Sequence, residues 1–129
     1  IVIIEDEPDI ANLLARRFGS EGFRVATASD GRAGLHAVHL YRPDLVILDL
    51  LLPTMSGWEV CRRLKEFPDM RSVKVVMLTL KGETAYRAGA DGYLVKGGQV
   101  EPTLAPVRVF RHSPQGILGD FLHRRAVAA

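Results

Sequence analysis

Three carboxylates stand where apolar runs of the sequence end. Glu5 and Asp6 follow the run 1–4, and Asp49 follows the run 45–48. Carboxylates about 4 Å apart repel by roughly 4 kcal/mol per pair at an effective dielectric constant near 20, so such a group must share protons or bind a cation. Since these positions carry no His or Cys, the all-oxygen set favours a hard ion. Magnesium is preferred, because it takes one or two carboxylates and keeps places for water and phosphate oxygens.

Two further polar residues fall at strand-like ends. Thr79 follows the apolar run 75–78, and Lys96 follows the short run 93–95. Beside a metal ion, Asp49 can act as a nucleophile on a phosphoryl group and form an aspartyl phosphate. The Thr79 hydroxyl and the Lys96 ammonium group would then hydrogen-bond or neutralise the phosphoryl oxygens.

The apolar runs alternate with amphipathic segments. Fully apolar runs are typical of central parallel strands that are covered on both faces, whereas the alternating run 23–27 is typical of an edge strand. This β-α-β-α rhythm predicts an α/β fold with a parallel sheet, right-handed crossovers and helices on both faces. In such sheets ligands bind beyond the carboxyl ends of the strands, where the strand order reverses.

Three helices are predicted between the runs. Pro8 suits the first turn of the first, Asp30 can cap the second, and Ser56 with Glu59 has the spacing of a capping box for the third. The apolar residues expected along these helices are Ile10, Leu13, Leu14 and Phe18, then Ala33, Ala37 and Leu40, then Trp58, Cys61 and Leu64. Trp58 and Cys61 are interpreted as packing residues. His36 and His39 have a metal-binding spacing but no evident third ligand, so a solvated helix face is the better interpretation.

The pattern weakens in the last third of the chain. Only a short helix fits within 81–89, and Pro106 would cost about 3 kcal/mol inside a helix, so the segment 101–111 is not a clean helix. A later helix is predicted at 114–127. We expect one domain over residues 1–129.

Composition narrows the possible classes of protein. The chain has 129 residues, 47% of them hydrophobic, and a net charge of +2 with scattered basic residues, which does not favour direct nucleic-acid binding. No run is long enough to cross a membrane, and the opening Ile-Val-Ile-Ile lacks the basic lead and the length expected of a secretory signal. The lone Cys61 cannot form an internal disulfide, which agrees with a cytoplasmic location.

Taken together, these residues resemble the receiver (CheY-like) domain of bacterial two-component response regulators. The motifs are Glu5-Asp6, Asp49 with the following Leu-Leu-Leu-Pro-Thr-Met-Ser-Gly57, Thr79, and Gly89-Ala-Asp-Gly-Tyr-Leu-Val-Lys96. The resemblance covers a core over residues 1–96 and leaves an atypical segment over 97–129. It implies a flavodoxin-like, doubly wound, five-stranded parallel sheet of order 2-1-3-4-5.

The resemblance also implies a role for each matching residue. Asp49 is the phosphoacceptor, Asp6 a direct metal ligand, and Glu5 a ligand through water. The remaining matches are the Leu51 backbone carbonyl as a ligand, Thr79 as the switch hydroxyl, Tyr93 as the aromatic switch, and Lys96 as the phosphate-contacting lysine. The ion is Mg²⁺, with Mn²⁺ as a substitute.

Members of this family receive the phosphoryl group from the phosphohistidine of a sensor kinase or phosphotransfer protein. They assist their own phosphorylation and dephosphorylation, and they signal to an effector protein or domain through a conformational change. The expected partners are therefore a kinase and an effector, with a homodimer also possible.

The sequence departs from the family pattern after about residue 80. Thr79 and Lys96 lie closer together than usual, so the fourth helix is shortened, and Leu80 could narrow the entrance to the site. Gly97-Gly98 replaces the usual proline after Lys96. These departures leave open a degenerate receiver that binds a protein partner without phosphorylation.

Two other functions are disfavoured. A phosphatase of the aspartate-nucleophile type needs a second aspartate two positions after the nucleophile, where this chain has Leu51. A flavin phosphate would meet Glu5, Asp6 and Glu7 after the first strand, and these acids repel anions.

Overall fold

The structure is a computed structural model that describes residues 1–79, 90–96 and 107–109; for Thr79, 92–96 and 107–109 it describes the backbone alone. The elements are β1 Val2–Ile4, α1 Pro8–Ser20, β2 Ala26–Ala28, α2 Gly31–Tyr41, β3 Leu45–Asp49, α3 Gly57–Glu66, β4 Lys74–Thr79, β5 Gly92–Lys96 and β6 Val107–Val109. No helix among these residues is long and apolar enough to cross a membrane.

The sheet has the order β2-β1-β3-β4-β5-β6. Its first five strands are parallel and follow the predicted order, so the flavodoxin-like fold is confirmed. All five predicted parallel strands are present, and β6 adds a sixth strand that pairs antiparallel with β5. Val107-Arg-Val109 alternates apolar and charged residues, a pattern that suits a strand but is too short to stand out in the sequence.

The strands carry apolar residues on both faces, and helices cover each face. On one side Ile3, Leu45 and Ile47 pack with Leu14 and Phe18 of α1. The opposite side is covered by α2 and α3, and its buried residues include Val2, Ile4, Val46, Leu48, Val60, Cys61 and Leu64. Since full burial of a large apolar side chain stabilises by about 1.5–3 kcal/mol, these two layers hold the sheet between its helices and fix its carboxyl edge.

The three predicted helix starts are confirmed. Pro8 is the first residue of α1, the Asp30 carboxylate accepts the Ala33 N–H at 2.8 Å, and the Ser56 hydroxyl accepts the Glu59 N–H at 3.3 Å. Each of these two caps satisfies an N–H group that has no partner inside its helix.

The buried face of α2 differs from the prediction. Ala33 and Leu40 are exposed, whereas Gly31, Gly34, Ala37 and Val38 are buried. The reason is a close approach: a Cβ atom on Gly34 would lie 2.7 Å from the Cγ1 atom of Ile4. Glycine gives no apolar signal in the sequence, so the pattern correctly placed Ala37 on the buried face but missed Gly31 and Gly34 and wrongly included Ala33 and Leu40.

The edge strand begins later than predicted. The alternating run 23–27 was expected to form it, but β2 spans Ala26–Ala28. Phe23 instead packs its ring edge-on against Phe18, with the ring centroids 6.1 Å apart, so tertiary packing of an aromatic side chain accounts for the apparent alternation.

A polar clamp joins α3 to the amino ends of β4 and β5. The Asp91 carboxylate accepts the Val75 N–H at 2.8 Å and the Lys65 ammonium at 2.7 Å. Lys65 also donates to the Val73 carbonyl at 3.0 Å. Because Asp91 directly precedes β5, the clamp fixes where that strand starts. The same strand ends at Lys96.

Replacing Asp91 with alanine is expected to lower the free energy of unfolding by about 2–3 kcal/mol, because the buried Val75 N–H and the Lys65 charge both lose a partner. Asp91→Asn keeps an acceptor for the N–H and should lose about half as much. Urea unfolding measures both.

The matched control is Asp69→Ala, which removes an exposed pair with Arg42 at 2.7 Å. Exposed pairs contribute about 0–1 kcal/mol. If Asp91→Ala cost no more than Asp69→Ala, the clamp would not stabilise this part of the sheet.

Candidate functional site

The sheet register brings the predicted polar residues to one edge. Ile4 pairs with Leu48, so Glu5 and Asp49, the next residues on the two chain segments, are level with each other. Asp49 pairs with Leu78, which places Thr79 one residue beyond it on β4. Thr79 in turn pairs with Val95, so Lys96 lies one step further on β5.

The acidic residues form a compact group at this edge. Glu5, Asp6 and Asp49 each offer a carboxylate oxygen, and these oxygens lie within 4.8 Å of one another. Glu5 is 2% exposed and Asp49 is 4% exposed, whereas Asp6 faces solvent. In the part of the chain that the structure describes, this is the single group of His, Cys, Asp or Glu residues compact enough to hold a metal ion.

The donor set fits a hard divalent cation. Three carboxylate oxygens from two adjacent strand ends supply negative charge, and the burial of Glu5 and Asp49 weakens the screening of that charge by solvent. Mg²⁺ and Ca²⁺ prefer oxygen ligands, and Mg²⁺ needs few carboxylates from the protein. The exposed side of the group, at Asp6, leaves room for water and for an incoming anion.

Backbone hydrogen bonds hold the acids in place. The Glu5 N–H donates to the Ala28 carbonyl at 3.0 Å, and the Leu50 N–H donates to the Leu78 carbonyl at 3.2 Å. The sheet ladder thus continues past the ends of β1 and β3. The Leu51 N–H also donates to Asp49 Oδ1 at 3.3 Å, which orients the carboxylate.

The loop between β3 and α3 doubles back onto Asp49. A Cβ atom on Gly57 would collide with the Asp49 carbonyl oxygen and lie 2.8 Å from the Leu50 Cα atom. The Gly57 N–H donates to the Leu50 carbonyl at 2.9 Å. The position therefore requires glycine, because the first turn of α3 packs directly against the backbone of Asp49 and Leu50.

The same loop contains a strained residue. Thr54 has a φ of 66°, a left-handed conformation that β-branched residues rarely adopt. Strain of this kind costs about 1–3 kcal/mol and persists where the surroundings fix it. The other side of the loop packs closely against α2. A Cβ atom on Gly31, the first residue of that helix, would lie only 2.9 Å from the Met55 carbonyl oxygen.

Several predicted residues lie partly or wholly outside the described residues. For Thr79, Tyr93 and Lys96 the strand backbone is described but the side chains are not. Leu80, the segment 81–89 and the predicted helix at 114–127 are outside the described residues.

The two packing residues and the two histidines have clear positions. Cys61 lies on the buried face of α3 and packs in the core, as predicted, and burial raises the pKa of its thiol to about 11. Trp58 is half-buried. His39 is exposed on α2, and its ring lies edge-on to Phe67 with the centroids 5.6 Å apart. His36 lies on the same helix, as predicted, and belongs to no metal-binding group among the described residues.

Comparison with known proteins identifies the family. Residues 1–107 match the sequence model of the response regulator receiver domain. The chain belongs to that family. A receiver domain is the part of a response regulator that takes part in two-component signalling, and the predicted resemblance is thereby confirmed.

Among curated proteins, the receiver is similar to the response regulator ArlR of Staphylococcus aureus, with 36% identity over 121 residues. The alignment covers 89% of this chain and 54% of ArlR, so the chain spans about half the length of the curated relatives it matches.

Two solved structures are informative about metals. The response regulator TrrA of Thermotoga maritima, in complex with Mg²⁺ and BeF, is 31% identical with a TM-score of 0.67, covering 76% of this chain and 86% of TrrA. The receiver domain of the sensor histidine kinase PA1611 of Pseudomonas aeruginosa PAO1 is 25% identical with a TM-score of 0.68, covering 76% and 84%. That structure has a magnesium ion in its active-site cleft.

Proposed function

We propose that this receiver accepts a phosphoryl group on Asp49 from the phosphohistidine of a sensor kinase or phosphotransfer protein, with the help of Mg²⁺. The observation that carries the proposal is the acidic group: Asp49 is nearly buried, and its carboxylate lies within 4.8 Å of those of Glu5 and Asp6. The strands that end in Thr79 and Lys96 reach the same edge.

The ion would be held by Asp6, Asp49 and the Leu51 carbonyl, with Glu5 acting through water, and Mn²⁺ could substitute for Mg²⁺. It would supply positive charge that offsets the charge of the phosphoryl oxygens. This role agrees with the Mg²⁺ in the TrrA and PA1611 structures.

The protein's own residues carry out the transfer. An Asp49 carboxylate oxygen forms a bond to phosphorus while the phosphorus–nitrogen bond of the donor breaks, and the histidine keeps the electron pair. The Leu51 N–H, 3.3 Å from Oδ1, favours one orientation of the nucleophile. The Thr79 hydroxyl would donate to a phosphoryl oxygen, and the Lys96 ammonium would neutralise another.

The phosphate would then act as a signal. Thr79 and Tyr93 would change conformation in response, and the altered surface would bind an effector protein or domain in the cytoplasm, with a homodimer as one form of the active state. In this account residues 1–129 form one receiver domain with its core over 1–96, and the chain assists its own phosphorylation and dephosphorylation.

The test is a phosphodonor reaction followed by intact mass spectrometry. Incubation with Mg²⁺ and phosphoramidate is expected to add one phosphate, and EDTA is expected to prevent the addition. Metal binding without any added phosphate would contradict the proposal and would instead indicate a degenerate receiver.

A further inference from the structure

The first residue of α2, Gly31, is buried against the loop between β3 and α3. A Cβ atom on Gly31 would lie 2.9 Å from each of three atoms, which are the Met55 Cβ atom, the Met55 carbonyl oxygen and the Val60 Cγ2 atom. The φ angle of Gly31 is not positive, so the position does not use the conformational freedom of glycine. It uses the lack of a side chain, since any larger residue would push the loop away from the helix.

The part of the loop that touches Gly31 is stiff. The Met55 N–H donates to the Pro53 carbonyl at 2.8 Å and closes a three-residue turn around Thr54, whose φ is 66°. The ring of Pro53 fixes the φ of that residue as well. Because this turn has little freedom to rotate, a shift of Met55 is passed along the chain toward Leu51 and is not absorbed on the way.

The same loop begins at the acidic group. The Leu51 N–H donates to Asp49 Oδ1 at 3.3 Å, and the Leu51 carbonyl is the backbone ligand in the proposed metal site. The Gly57 N–H donates to the Leu50 carbonyl at 2.9 Å, which holds the two ends of the loop together. A backbone carbonyl cannot be re-aimed by rotating a side chain. Its position therefore depends on the path of the loop, and that path depends on the contact with Gly31.

We propose that Gly31 is a positioning residue for the magnesium site. By admitting Met55 against the start of α2, it sets the path of the loop and thereby the position of the Leu51 carbonyl. The inference rests on the proposed function, because it takes that carbonyl as a ligand. Gly31 has no side chain that could bind the ion, and so it acts through the loop.

The test is the Mg²⁺ affinity of Gly31→Ala, measured by titration calorimetry. Replacing a residue that orients a metal ligand typically weakens metal binding roughly 10- to 100-fold, and the dissociation constant of Gly31→Ala is expected to rise about tenfold. The single tryptophan of the chain, Trp58, directly follows the first residue of α3, and its fluorescence gives a second measure of binding. Thermal unfolding without Mg²⁺ measures the separate loss of stability.

Gly34→Ala is the matched control. Gly34 is also a buried glycine of α2, and a Cβ atom there would lie 2.7 Å from the Ile4 Cγ1 atom. In this case the obstacle is a side chain of β1 and not the loop. Gly34→Ala should therefore lose stability, as Gly31→Ala does, but keep the wild-type affinity for Mg²⁺.

A second substitution separates positioning from loss of stability. Val60 is buried in the core, and its Cγ2 atom is one of the three atoms that the new methyl group would meet. In Gly31→Ala/Val60→Ala the methyl group gains space on that side and displaces the loop less. The Mg²⁺ affinity should recover toward that of the wild type while the unfolding temperature falls further. Loss of stability alone would make both fall together.

The contact can also be tested from the side of the loop if Gly31→Ala does not fold. Met55→Gly removes the Cβ atom that faces Gly31, whereas Met55→Ala keeps it. Met55→Gly should therefore bind Mg²⁺ more weakly than Met55→Ala does.

The outcomes separate this inference from the function on which it rests. The role of Gly31 would be overturned by a wild-type affinity in Gly31→Ala, by an equal loss in Gly34→Ala, by a further loss in the double variant, or by equal affinities in the two Met55 variants. Each of these results would leave the metal site in place. If the wild-type receiver bound no Mg²⁺, the proposed function itself would fail, and the inference with it.

Discussion

Gly57→Ala is expected to lower the free energy of unfolding by about 3 kcal/mol and to slow phosphorylation roughly 100-fold. The added methyl group would collide with the Asp49 carbonyl oxygen and lie 2.8 Å from the Leu50 Cα atom. Both atoms belong to backbone, which cannot rotate away as a flexible side chain can. The strand end must move, and Asp49 moves with it. Urea unfolding and the phosphoramidate reaction measure the two effects.

Gly19→Ala is the control for this change. Gly19 lies near the end of α1, and a Cβ atom there would meet nothing within 4 Å. Since glycine within a helix is less stable than alanine by roughly 0.5–1 kcal/mol, this variant should gain stability and keep the wild-type rate. If Gly57→Ala gained stability and kept the wild-type rate, as expected for Gly19→Ala, that result would contradict the close approach of Gly57 to the Asp49 backbone.

Asp6→Asn is expected to change stability in opposite directions with and without Mg²⁺. Without the ion, removing one of three carboxylates whose oxygens lie within 4.8 Å relieves repulsion and should stabilise the fold by about 1 kcal/mol, a small value because Asp6 is exposed. With Mg²⁺ at about 100 times its dissociation constant, the wild type should gain about 2.7 kcal/mol. The variant should gain far less. Thermal unfolding across a Mg²⁺ titration measures both.

Asp9→Asn is the matched control for that titration. Asp9 is an exposed acid in the first turn of α1 and does not belong to the acidic group. The Asp9→Asn variant loses a favourable interaction with the helix N-terminus, which lowers the free energy of unfolding by about 0.3–1 kcal/mol. Its stability should still respond to Mg²⁺ as fully as that of the wild type. A full Mg²⁺ response in Asp6→Asn would contradict the assignment of Asp6 as a ligand.

The acidic group could be predicted from the sequence because its geometry is local. Glu5 and Asp49 each follow a continuous apolar run, and strands of such residues are parallel and central. Parallel strands bring their carboxyl ends to the same edge of the sheet. A residue that directly follows such a strand is therefore expected at that edge, whatever the rest of the fold. The order of the first five strands came from the family resemblance.

The features that the sequence did not predict depend on contacts distant in the chain. The tight approach of Gly57 to Asp49 and of Gly34 to Ile4 leaves no apolar signal, because glycine contributes no side chain. The pair of Lys65 and Asp91 spans 26 residues and exists because the fold brings the last turn of α3 close to the residue that precedes β5. The signal available in the sequence was a glycine at the first position of α2 and of α3, Gly31 and Gly57, because glycine permits a close approach that a larger side chain would block.

Locating the phosphate is the most direct test of the central claim. The receiver is incubated with Mg²⁺ and phosphoramidate, and the intact masses of the wild type and of Asp49→Asn are compared. The amide of asparagine nearly matches the carboxylate in size but is a far weaker nucleophile, so the fold should persist while the reaction stops. The account predicts one added phosphate in the wild type and none in Asp49→Asn. A wild type that stays unmodified, or an Asp49→Asn variant that still gains one phosphate, would contradict it.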